Sequence, residues 1–122
     1  MSKKKRKKRV KTQLTGRNRH HMLYQARHWN TGIAKTLRNY FVYYLPINIH
    51  NELHNHTLTD IPKPPPGALI PLYLAFQDQK AEIDHMDAKN AAKWLEMACD
   101  YEPFKVAMRK QADFLEQKLG DN

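Results

Sequence analysis

The sequence predicts an α+β chain in which a strand, loop, strand and helix precede a helical C-terminal half. Three observations predict it. Tyr40 to Leu45 (YFVYYL) has β-branched or aromatic side chains at five of its six positions, the composition of a strand, and Pro46 ends it. Residues 68–119 instead repeat apolar side chains at the 3.6-residue period of helices. Between them, Ile61-Pro62-Lys63-Pro64-Pro65-Pro66-Gly67 can sustain neither a helix nor a central strand and prefers a stiff extended form.

Taken in order, residues 1–16 lack periodicity and are expected to form a basic disordered arm. Arg19 to Ala26 (RHHMLYQA) is short and rich in apolar and aromatic residues, which suits a first strand. Arg27 to Arg38 contains the turn-like Asn30-Thr31-Gly32, followed by Ile33 to Arg38, long enough for one helical turn, and reads as a structured loop. After the second strand, Asn48 can cap a helix from about Ile49 through His54, with Glu52 in its first turn favoured by the helix dipole. This first unit occupies residues 17–61, and a proline-rich spacer follows at 62–67. Three helices are expected beyond it: Ala68 to about Ile83 with Pro71 in the first turn, Asp87 to about Cys99, and Glu102 to about Leu119. Met86, Ala91, Trp94, Leu95 and Ala98, then Phe104, Ala107, Met108, Leu115 and Leu119, supply packing stripes. Residues 68–122 are expected to pack on the first unit, because about 40 residues alone make a marginal core.

Composition narrows the class. The chain has 122 residues, enough for one core, and Lys+Arg outnumber Asp+Glu by 21 to 12. The first acidic residue is Glu52, and 13 of the 21 Lys+Arg precede it. A basic half of this density attracts phosphates with little sequence preference and strong salt dependence, so nucleic acid is the expected partner. The longest mostly apolar run, Ala68 to Phe76, is far short of the roughly 20 residues of a membrane span. The basic start runs into Val10-Lys11-Thr12-Gln13 rather than an apolar stretch, so a cytoplasmic protein without a secretion signal is expected. Cys99 stands alone, which excludes an internal disulfide and any multi-cysteine metal site. A metal would be held by His, Asp or Glu.

Histidines gather between residues 20 and 56 in two patterned pairs. His20 and His21 are adjacent, so on a regular strand they point to opposite faces. His50-Asn51-Glu52-Leu53-His54 is an H-x-x-x-H pair, whose members stack on one helix face within reach of a common ion. A third imidazole from the strand would complete three protein ligands and leave a position open, and the remaining histidine could act as a base. His28, His56 and His85 are assigned surface or packing roles.

Arg19-His20-His21-Met22, then Asn39 before the second strand ending at Pro46, then Ile49-His50-Asn51-Glu52-Leu53-His54 together resemble the HNH, or His-Me finger, endonucleases. The similarity is greatest to the colicin DNase subgroup, which also pairs His-His with H-x-x-x-H, and it covers about residues 17–56. It implies a small ββα metal finger in which His20, His50 and His54 hold one divalent metal ion, His21 is the general base and Asn39 orients it. Eleven positions separate Asn39 from His50, and Asn30 is the other amide available for that task. Zinc suits three imidazoles best, while magnesium prefers oxygen and manganese, nickel or cobalt also fill such sites.

In that chemistry, water attacks a phosphodiester in line while a base takes its proton and positive charge offsets the growing negative charge. Arg17, Arg19, Arg27, Lys35 and Arg38 are expected to hold the backbone together with Lys3, Lys4, Lys5, Arg6, Lys7, Lys8 and Arg9 of the arm. Such contacts position without reading bases, so cleavage of DNA with low sequence specificity is the expected activity. The competing reading is a non-catalytic, basic nucleic-acid-binding protein, for DNA or RNA, whose histidines form a structural metal site. In a third reading the acidic helical half binds a protein partner or makes a homodimer.

Overall fold

The computed structural model describes residues 16–57 and 60–120, the side chains of 56 and 57 excepted. Among them are a two-stranded antiparallel sheet and six α-helices, a mixed α and β architecture. Strand β1 (Arg17–His21) pairs with β2 (Val42–Pro46) in the register Arg17↔Pro46, Arg19↔Tyr44 and His21↔Val42. Strand alternation then sorts the side chains. Asn18 and His20 face inward with Leu45 and Tyr43, while Arg19 and His21 share the outer face with Tyr44 and Val42.

The first strand lies earlier than the expected Arg19 to Ala26. Met22, Leu23 and Tyr24 are all buried rather than alternating, so the chain leaves the sheet and enters the core. The expected loop at 27–38 is instead a 3-10 turn (Ala26–His28) and helix α1 (Gly32–Tyr40). Gly32 enters α1 at φ 58°, a left-handed value open to glycine without penalty. Ala34 and Leu37, three apart, bury one face of α1. Asn39 therefore lies within α1 rather than opening a strand, and Tyr40 is helical as well.

Helix α2 (Ile47–Glu52) starts directly after Pro46, so Asn48 lies inside it and caps nothing. Glu52 ends that helix instead of opening it, and its carboxylate pairs with Lys118 Nζ at 2.8 Å. A π-helical turn (Leu53–Thr57) continues the path and carries His54.

The proline-rich segment is docked. Ile61 is fully buried, its N–H donates to the Tyr24 carbonyl at 2.6 Å, and its carbonyl accepts from Trp29 Nε1 at 3.2 Å. Pro66 and Gly67 already belong to α3 (Pro66–Asp78). One expected helix to Ile83 is broken at Gln79, giving α3 and the short α4 (Lys80–Ile83). Helix α5 (Ala88–Ala98) is capped by Asp87, whose Oδ1 accepts from the Asn90 N–H at 2.9 Å. Helix α6 runs Glu102–Leu119 and packs along α5.

One buried cluster draws on both halves of the chain. Met22, Leu23, Trp29, Leu37, Phe41, Leu45 and Leu53 join Leu72, Phe76, Leu95, Phe104, Met108 and Leu115. Trp29 stands 6.0 Å from Phe104 between ring centres, and Phe41 stacks on Trp94 at 6.1 Å. The helical half thus closes the inner face of the hairpin, and α6 also packs against the turn bearing His54. Among the described residues no helix is long and apolar enough to cross a membrane.

Candidate metal centre and adjoining cavity

Three elements bring His20, His50 and His54 together. His20 descends from the inner face of β1, while α2 and the π-helical turn present His50 and His54 from one side. One ligand nitrogen from each ring lies within 4.8 Å of the others. Ring centres are 5.2 Å apart for His20 and His50, 5.4 Å for His20 and His54, and 4.7 Å for His50 and His54. Tetrahedral Zn–N bonds of about 2.0–2.1 Å hold nitrogens roughly 3.4 Å apart, so small rotamer adjustments close this set on an ion.

The surroundings favour ligation. His20 is fully buried; its Nε2 meets Gln111 Oε1 at 2.5 Å, and among the described residues its Nδ1 has no hydrogen-bond partner. An orphaned buried nitrogen costs free energy unless something fills its lone pair, and a divalent ion would do so. Burial, followed by the neighbouring imidazoles, pushes the His20 pKa down to about 3 despite the opposing Gln111 bond. Burial also lowers His50 and His54, with His50 contributing at His54. All three rings are therefore neutral near pH 7, the form that binds metal. Asn18 reaches His50 Nδ1 at 3.2 Å, and the Tyr24 ring packs on His54 at 4.5 Å.

His21 turns to the other face of β1. It lines a cavity of about 390 Å³ with Arg19, Asn39, Val42 and Tyr44. Burial, then the charges of Arg38 and Arg19, lower its pKa, which keeps the imidazole neutral beside two cations. Neutral imidazole accepts a proton, and guanidinium groups attract phosphate. Asn39 shares this cavity but makes no hydrogen bond to His21 among the described residues, and Asn30 is absent from the lining.

The structure thus joins His20, His50 and His54 in one cluster, and His21, Asn39 and Arg19 in another. The two meet at a single peptide bond. Arg17 and Lys35 are exposed, while Arg27 pairs with Asp60 at 2.6 Å and so spends part of its charge within the chain. His28 contacts the same carboxylate at 3.2 Å and His85 is exposed. Lys3, Lys4, Lys5, Arg6, Lys7, Lys8 and Arg9, and the His56 side chain, lie outside the described residues.

Gln111 and Asn18 escaped the sequence reading. Gln111 had a legible signal, since it falls in the apolar stripe Phe104, Met108, Gln111, Leu115 where a core residue belongs. Asn18 had none beyond its place one residue before a histidine. No known protein family, curated protein or solved structure matches this chain.

Proposed function

We propose that the protein is a metal-dependent endonuclease of the His-Me finger kind, with β1, β2 and α2 as its ββα finger, hydrolysing DNA phosphodiester bonds with low sequence specificity. One observation carries this reading: adjacent histidines diverge, His20 into a three-imidazole cluster and His21 into a cavity edged by arginine. His20, His50 and His54 would hold the ion, zinc being the best match to three nitrogen ligands. A divalent cation bound there supplies positive charge to the scissile phosphate and its leaving oxygen. His21 takes the proton of the attacking water through its free ring nitrogen. Arg19 and Arg38 hold the phosphodiester across the end of β1, and Asn39 lines the same cavity, within the wall that confines His21. These groups contact phosphate rather than base edges, which accounts for low specificity.

The competing reading, a non-catalytic nucleic-acid-binding protein with a structural metal site, draws support from the full burial of His20. Supercoiled plasmid separates the two. The protein is incubated with zinc, magnesium, manganese, nickel or cobalt, with EDTA and His21→Ala as controls. Metal-dependent nicking that falls by about 10²–10⁴ in His21→Ala, the usual contribution of a general base, supports the nuclease. Salt-sensitive DNA binding without cutting in any metal removes it and leaves the structural site.

A further inference from the structure

We infer that Gln111 is a positioning residue of the histidine centre, holding His20 in the tautomer whose Nδ1 is the metal ligand. The inference rests on the metal-centre part of the proposed function. It begins with burial. Gln111 has no exposed surface, although it sits on the core face of α6 among Phe104, Met108, Phe114 and Leu115. A glutamine sealed in such a place needs partners for both ends of its amide.

The partners identify the ends. Gln111 Nε2 lies 3.5 Å from the Met22 carbonyl oxygen and 4.0 Å from Met108 Sδ, both of which only accept. The amide nitrogen therefore belongs on that side, and Oε1 is left facing His20 Nε2 at 2.5 Å. An amide oxygen cannot donate, so the proton of this bond must sit on His20 Nε2. In neutral imidazole the other nitrogen, Nδ1, then carries the lone pair; it is buried and, among the described residues, unpartnered, so with Nε2 taken by Gln111 it is the nitrogen left for an ion held with His50 and His54. Ligating histidines are commonly held this way, with the second ring nitrogen donating to an oxygen that fixes ring and tautomer. Here the oxygen comes from a helix 91 residues away in sequence.

Two measurements on the full chain test this, neither of which uses cleavage. In the metal-free wild type, ¹⁵N-resolved NMR of the His20 ring should show a protonated Nε2 and an unprotonated Nδ1; a proton on Nδ1 overturns the inference. Zinc affinity, measured by calorimetry against a competing chelator, is then compared among wild type, Gln111→Met and Gln111→Glu. The thioether of Gln111→Met fills the space but is a poor acceptor, and zinc should bind about 10–100-fold more weakly. Gln111→Glu retains an oxygen acceptor and should restore affinity to within a few-fold of wild type. Gln111→Met that folds and binds zinc like wild type overturns the inference while leaving the metal centre standing. A wild type that binds no zinc removes both. Should Gln111→Met fail to fold, the tautomer measured in the wild type and the zinc affinity of Gln111→Glu decide, a large loss in Gln111→Glu counting against the inference.

Discussion

Acidification from about pH 7.5 to about pH 5 should destabilise the metal-free protein through His20. In the fold this imidazole is buried, its Nε2 is bonded to Gln111 and its pKa is pushed down to about 3; in the unfolded chain it titrates near 6.5. Below 6.5 the unfolded state binds a proton that the folded state refuses, so stability falls with pH across the window from 6.5 towards 3. At about pH 5 the chain lies roughly 1.5 pH units below the unfolded value. At roughly 1.4 kcal/mol per unit, His20 alone removes about 2 kcal/mol. For a chain of this size that lowers the midpoint by about 8 °C. His50 and His54, also lowered by burial, act in the same direction. Thermal unfolding followed by circular dichroism in EDTA at the two pH values measures the loss. His20→Gln replaces the titrating ring with a neutral amide, and its pH-dependent drop should be smaller by about 2 kcal/mol. Equal midpoints at both pH values in the wild type, or a full drop retained in His20→Gln, would refute the reasoning.

Other perturbations probe the remaining features. Trp29→Phe strips the buried Ile61 carbonyl of its donor and loosens the contact with Phe104; it should cost about 1–3 kcal/mol in urea unfolding, and an unchanged midpoint counts against the docked proline segment. Zinc at about 100 times its dissociation constant should stabilise the wild type by about 2.7 kcal/mol, a gain that His54→Ala removes in thermal unfolding. Asn39→Ala should slow plasmid nicking by about tenfold with zinc affinity unchanged, because Asn39 lines the His21 cavity and not the cluster; wild-type nicking would sink its role. Arg19→Ala should weaken binding to a short DNA duplex and reduce the slope of log affinity against log salt by about one, and an unaltered slope would remove Arg19 from the phosphate contacts.

The candidate site was more legible than the path of the chain around it. His50 and His54 announce a shared helix face by their four-residue spacing, and adjacent His20 and His21 announce divergent roles if they lie on a strand. Both patterns are local, and local spacing survives errors in element boundaries. Helix α1 was legible only as one turn within a loop, because it begins at a left-handed glycine with no side-chain cap and follows a turn-like Asn30-Thr31-Gly32. Its helical state comes from burying Ala34 and Leu37, a tertiary effect. The break at Gln79 carries no glycine or proline to mark it, and Pro46 rather than Asn48 precedes α2. Helices α5 and α6 were readable nearly to the residue, since Asp87 is a strong cap and both keep a continuous apolar stripe. The partnership of Gln111 with His20 joins opposite ends of the chain, and no window of sequence contains both.

That partnership also has a consequence in time. During translation His20, His50 and His54 emerge first, and the amide that completes the surroundings of His20 is added 91 residues after it. At 5–20 residues per second the ribosome needs roughly 5–20 s to cover that distance. For this interval the nascent chain carries His20, joined part-way through by His50 and His54, without the helix that closes over them. The surroundings of His20 are therefore completed only after α6 has been made and lies down across the hairpin.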